Sequence, residues 1–209
     1  VGFVMIAGAG SNLNQQFGLP FWAGGLLCAA LIIIVSFLDF EKITGVLGIF
    51  TPIVFIMIII IAVHTFTNRS FDFDELEAIS ATIPSPMPNV WISLLNHIAL
   101  AVMTAVPMAF VLGGSIMRIG VAEKSGILGG LGVSIIITVV TCVLYANVKL
   151  ASTVDMPMLA IAEQIHPIFS LIYAFVIYGL IFNTAFSLFY ALAKRFSSDN
   201  PKRFYPILI

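Results

Sequence analysis

Apolar and polar positions fall into long runs and short joints along this chain. Residues 20–38, 43–65, 90–112, 127–147 and 167–193 each proceed without a single Asp, Glu, Lys or Arg. A shorter apolar run opens the chain at residues 1–12. A backbone in lipid must satisfy its own hydrogen bonds, and a helix of about 20 apolar residues crosses the hydrocarbon layer. The pattern therefore predicts an all-α integral membrane protein, a single transmembrane domain over 1–209 with about six spans.

The joints carry their own signals. The longest, 66–89, ends in Ile83-Pro84-Ser85-Pro86-Met87-Pro88-Asn89, where three prolines fix φ and remove donors, so no helix continues through it. The joint 148–166 contains Asp155-Met156-Pro157 followed by a short mixed run. Asp is a favoured N-cap and proline suits a first helical turn. A short surface helix over about 156–165 is predicted, capped by Asp155 and closed by His166-Pro167. The half-length first run and the new apolar stretch that begins at Phe204 read as a piece of a longer chain, cut at both ends.

Composition agrees with the pattern: 60% hydrophobic residues, 9% charged and a mean hydropathy of +1.12. Soluble domains carry roughly 25% charged residues, so that class is excluded. A net charge of −1 argues against a broad nucleic-acid surface. Cys28 and Cys142 lie in apolar runs and read as small buried hydrophobes.

Charge placement gives an orientation, because Lys and Arg are retained in cytoplasmic joints. Lys42, Arg118, Lys124, Lys194, Arg195, Lys202 and Arg203 fall on one side, and only Arg69 and Lys149 on the other. Loops 39–42, 113–126 and 194–203 are then cytoplasmic, and loops 13–19, 66–89 and 148–166 lie outside. Trp22 and Trp91 fall at outer span ends, where indole rings favour the interface.

No span carries a full charge, so none offers a carboxylate relay. Hydroxyls, amides, small residues and prolines remain. Pro107 removes a donor in mid-span, and Thr104 and Ala105 beside it are small. The stretch Thr104, Ala105, Pro107 is the candidate substrate contact if the helix breaks there, and a simple kink if it does not. In the last span Asn183, Thr184 and Ser187 stand three and four residues apart, a spacing that can present two oxygens to a Na⁺-sized ion or serve helix packing. Ser134, Thr138, Thr141 and Tyr145 share one helical face and read as packing groups whose hydroxyls bond their own backbone. No HExxH, nucleophile elbow or paired membrane carboxylate occurs, so no enzyme is expected, and neither a catalytic residue, a metal ligand nor a cofactor is assigned.

Ala7-Gly8-Ala9-Gly10, then Gln16-Phe17-Gly18-Leu19-Pro20-Phe21-Trp22, and later Pro157-Met158-Leu159, Asn183-Thr184-Ala185 and Tyr190-Ala191-Leu192-Ala193-Lys194-Arg195, resemble the YkvI-type family of bacterial membrane proteins. That family is similar to the amino acid–polyamine–organocation transporters, which share the LeuT-like fold of two inverted five-helix repeats. The resemblance implies that these spans are helices three to eight of that fold, with the remaining helices outside this chain. It implies a bacterial plasma membrane location, a substrate site around Thr104 to Pro107, and a sodium site at Thr184 with Ser187. The inverted repeat itself is not visible in the sequence.

The expectation is a secondary transporter for a small organic solute such as an amino acid, coupled to Na⁺ or H⁺. Its partners would be the lipid bilayer, the solute and the helices outside this chain. The alternative is a non-transporting membrane protein, a sensor or assembly partner, that keeps the fold.

Overall fold

The computed structural model describes residues 2–37, 45, 48–68, 72–84, 87–113 and 119–197, with the side chains of 104, 107, 108, 110–113 and 194 outside the description. Among the described residues every regular element is helical. In chain order these are α1 (Gly2–Phe17), α2 (Phe21–Val35), α3 (Phe50–Asn68), α4 (Phe73–Thr82), α5 (Val90–Gly113), α6 (Ile119–Ala146), α7 (Val148–Ala151), α8 (Pro157–Ile165) and α9 (Pro167–Ser197). Three of them, α3, α6 and α9, are long and apolar enough to cross a membrane. Phe21–Val35 and Val90–Met103 are shorter apolar helices.

Helices α1 and α2 form a tight hairpin. Gly18 ends α1 with φ +68°, a left-handed conformation glycine adopts without strain, and its N–H donates to Asn14 O at 2.8 Å. Asn14 Nδ2 donates to Leu19 O at 2.7 Å, and Pro20 sits at the N-cap of α2. The turn is so short that the backbones nearly touch. A Cβ placed on Gly24 would lie 2.8 Å from Ala9 O and 2.9 Å from Gly10 Cα, and one on Gly10 would collide with Phe21 O. Small residues allow this approach in lipid, where dispersion contacts replace the hydrophobic drive between helices.

Helix α9 is the axis of the bundle and joins two cores. Its N-terminal half packs with α3, α8 and the end of α6 around Val54, Ile61, Val143, Leu159, Ile161 and Tyr173. Its C-terminal half packs with α1 and α2 around Ala9, Cys28, Ile32, Phe182, Ala185 and Phe186. Helix α3 explains its place by periodicity: Val54, Met57, Ile58, Ile61, Ala62 and Thr65 are buried, the three-and-four spacing of one helical stripe.

The joints depart from expectation in three places. The 66–89 joint contains α4, which sequence reading passed over. Asp72 Oδ1 accepts from the N–H groups of Asp74 (3.1 Å) and Glu75 (3.4 Å), and the acidic first turn of Asp74 and Glu75 suits the positive end of the helix dipole. In the 148–166 joint a short helix, α8, is present, but Asp155 does not cap it. Met156 is the N-cap and no side chain of its own segment caps the helix. Its backbone is held instead by Gln15 of α1: Met156 N–H donates to Gln15 Oε1 at 2.9 Å, and Gln15 Nε2 donates to Met156 O at 3.0 Å. The third departure is in α6, which begins at Ile119, inside the 113–126 joint. His166 closes α8 in extended conformation as expected, and its Nδ1 accepts from Ile168 N–H at 3.1 Å to cap α9.

Candidate functional site

The sequence candidates of α9, Asn183, Thr184 and Ser187, lie in its C-terminal half, where the helix packs against α1 and α2. Asn183 and Ser187 are one turn apart and so share a face. Ser187 is buried at 8% exposure. Asn183 is half-buried, and its Oδ1 is enclosed with no hydrogen-bond partner among the described residues. A buried acceptor left unpaired costs about 1–3 kcal/mol, so an oxygen in that state inside a membrane helix calls for a donor or a cation.

Thr184 is placed differently. It is exposed, and its hydroxyl donates to Leu180 O at 2.9 Å within the same helix. That back-bond satisfies the hydroxyl locally. The three sequence candidates on α9 thus divide, with Asn183 and Ser187 on one buried face and Thr184 turned away from it.

On α5 the side chains of Thr104 and Pro107 lie outside the described residues, and Ala105 is exposed. The backbone is helical from Val90 to Gly113. The chain therefore runs through Pro107 without the break that a discontinuous helix would show. Helix α5 packs along α9, so both candidate sets stand on neighbouring helices.

Two features escaped the sequence. One is a groove of about 800 Å³ between α1, α2, α3 and α9, lined by Leu13, Phe17, Leu31, Phe50, Phe175 and Tyr178 among others. Its polar handle is the Tyr178 hydroxyl, which donates to Gly24 O at 3.3 Å. The other is an amide cluster at the C-terminal end of α1: Gln15 on Met156, and Gln16 Oε1 accepting from Ser170 Oγ at 2.8 Å. Asn12 and Gln16, four apart at the end of an otherwise apolar run, were the available signal for it. The groove has no local signal, because its walls come from four separate helices.

Chemically, a side-chain carbonyl and a hydroxyl on one turn offer hard oxygen donors to a small cation, with further ligands needed from neighbouring elements. Among the described residues no cluster of three or more His, Cys, Asp and Glu is placed to hold a metal ion. Cys28 is buried and Cys142 exposed, and both are free thiols. No protein-family model, no curated protein and no solved structure matches this chain.

Proposed function

We propose that this chain is part of a secondary transporter for a small organic solute such as an amino acid, with Na⁺ as coupling ion. In this reading its helices are the third to eighth of a LeuT-like fold in a bacterial plasma membrane, with the basic joints on the cytoplasmic side. The observation that carries the proposal is the enclosed Asn183 Oδ1, without a partner among the described residues, one turn from buried Ser187 on a membrane-length helix. The family resemblance and the absence of charge within α9 up to Lys194 support it further. Asn183 and Ser187 have the stronger claim to the ion, and Thr184, bonded to Leu180, the weaker.

A second reading rests on the continuity of α5 through Pro107. An unbroken helix there suits a membrane protein that keeps the architecture without transporting, such as a sensor or assembly partner.

Thermal melts of the full-length protein in detergent separate the two, because a ligand of the folded state raises the melting temperature by mass action. Replacing choline chloride by NaCl is expected to raise it, and an amino acid panel to add a Na⁺-dependent increment for some member. Asn183→Leu is expected to abolish the Na⁺ response, Ser187→Ala to weaken it at least tenfold in apparent affinity, and Thr184→Val to change it least. A wild-type protein indifferent to both Na⁺ and every solute tested would leave the sensor or assembly reading standing.

A further inference from the structure

The N-terminal end of α1 meets the C-terminal end of α9, and a cleft of about 310 Å³ opens between them. It is lined by Gly2 and Phe3 of α1 and by Leu188, Phe189, Leu192 and Arg195 of α9. Leu188, Leu192 and Arg195 are four and three residues apart, so they share one face of the helix. Aromatic contact joins the two helices there. The Phe3 and Phe189 rings meet edge to face with centroids 6.1 Å apart, and a Cβ on Gly2 would lie 2.9 Å from the Phe189 ring. The cleft is open at the surface: Phe3 is 81% and Leu192 48% exposed, and Arg195 is exposed beside them. Neither α1 nor α9 contains an acidic residue, so the two helices offer Arg195 no carboxylate.

We propose that this cleft binds an anionic phospholipid, with the Arg195 guanidinium paired to the headgroup phosphate and the start of an acyl chain against Phe3, Phe189 and Leu192. Depth and charge select the occupant. Helix α9 carries no charge from Pro167 to Ala193, more than the ~20 residues that the hydrocarbon layer takes up, so Lys194 and Arg195 emerge where headgroups begin. Residues 194–203 hold Lys194, Arg195, Lys202 and Arg203 against the one acidic residue Asp199. A planar guanidinium presents paired N–H donors to two phosphate oxygens, and basic pockets between membrane helices take anionic headgroups. A zwitterionic lipid brings a choline cation beside its phosphate, which this basic end repels. A soluble phosphate would leave the apolar walls uncovered. A further helix, about 10 Å across, is too bulky to enter a cleft of this volume. The proposal rests on α9 crossing a membrane, and is independent of the Asn183 face and of any transport reading.

The probes are dioleoyl phosphatidylglycerol, as its ammonium salt, and dioleoyl phosphatidylcholine, titrated into the full-length protein in a neutral detergent. Melting temperature is the readout, since a ligand of the folded state raises it. Choline chloride is the only added salt, which keeps the result apart from any Na⁺ response. The expected result is a saturable rise with phosphatidylglycerol that phosphatidylcholine, with the same chains, does not give. Arg195→Gln is expected to weaken the apparent affinity at least tenfold, and Leu192→Trp, which fills the cleft and keeps the charge, to weaken it likewise. Lys149→Gln, which removes an exposed basic residue elsewhere, is expected to leave it unchanged. Equal responses to the two lipids, a phosphatidylglycerol response that survives Arg195→Gln, or one lost equally in Lys149→Gln would overturn the proposal. A matching rise with glycerol 3-phosphate alone would assign the site to a soluble phosphate and overturn it as well.

Discussion

Helices α2 and α6 are both rich in small residues, yet they use them in opposite ways. On α2, Gly24 meets the Ala9 carbonyl and the Gly10 Cα at contact distances that no side chain could share. Among the described residues, a Cβ at Gly126, Gly129 or Gly130 on α6 would meet nothing within 4 Å, and one at Gly132 only the Phe55 ring at 3.7 Å. The apolar stretch of α6 is 6% buried, against 33% for α9. Large side chains such as Leu128, Leu131 and Ile135 are exposed along it, which suits contact with lipid tails. Its hydroxyls turn inward on themselves: Ser134 donates to Gly130 O and Thr138 to Ser134 O, each at 2.9 Å. A glycine in a membrane helix is thus a capacity for close approach, and the partner helix decides whether the capacity is used.

The same substitution at the two places sharpens this contrast most. Gly10→Val in the hairpin must push the α2 backbone away from Phe21 O, and overpacking against backbone costs about 3 kcal/mol or more. Gly126→Val on α6 meets open space and is expected to change stability by no more than about 0.5 kcal/mol. Reversible unfolding in mixed micelles measures both, and equal losses would dissolve the contrast. Next in size is Gln15→Leu, which strips both bonds from Met156 and is expected to cost about 2 kcal/mol. Faster amide exchange confined to residues 157–165 is its signature. An unchanged exchange pattern would mean that α8 is held by its apolar face alone. Below it comes Gly130→Ala, expected to stabilise α6 by up to about 1 kcal/mol through helix propensity. A loss instead would reveal a close neighbour on that face.

Much of the architecture could be read from residue pattern, because it depends on local chemistry. The spans of α3, α6 and α9 follow from charge-free length, and α8 from Pro157 and His166-Pro167. What failed was non-local. Asp155 looked like the cap of α8, but Gln15, distant in sequence, already holds the Met156 backbone. Helix α4 is the local exception: Asp72 with Asp74 and Glu75 is a start signal that the three prolines after the helix overshadow. At the candidate site, spacing brought out Asn183, Thr184 and Ser187 but could not say which shared a buried face. That division follows from where α1, α2 and α5 pack around α9, together with the Thr184–Leu180 bond. The four-residue spacing of Asn12 and Gln16 marked the end of α1, but the burial of Asn12 on all sides is a property of the assembled bundle.

The whole reading depends on helices that cross a bilayer with the acidic α4 and the Arg118–Lys124 stretch on opposite sides. Single cysteines at half-buried Ser80 and exposed Ser125, in a full-length protein with Cys28 and Cys142 replaced by alanine, test this with a membrane-impermeant maleimide on intact cells. Labelling of the Ser80→Cys variant from outside, and of the Ser125→Cys variant only after permeabilisation, is the expected result. Labelling of both from the same side would contradict the topology and remove the basis for a membrane-embedded ion site on α9.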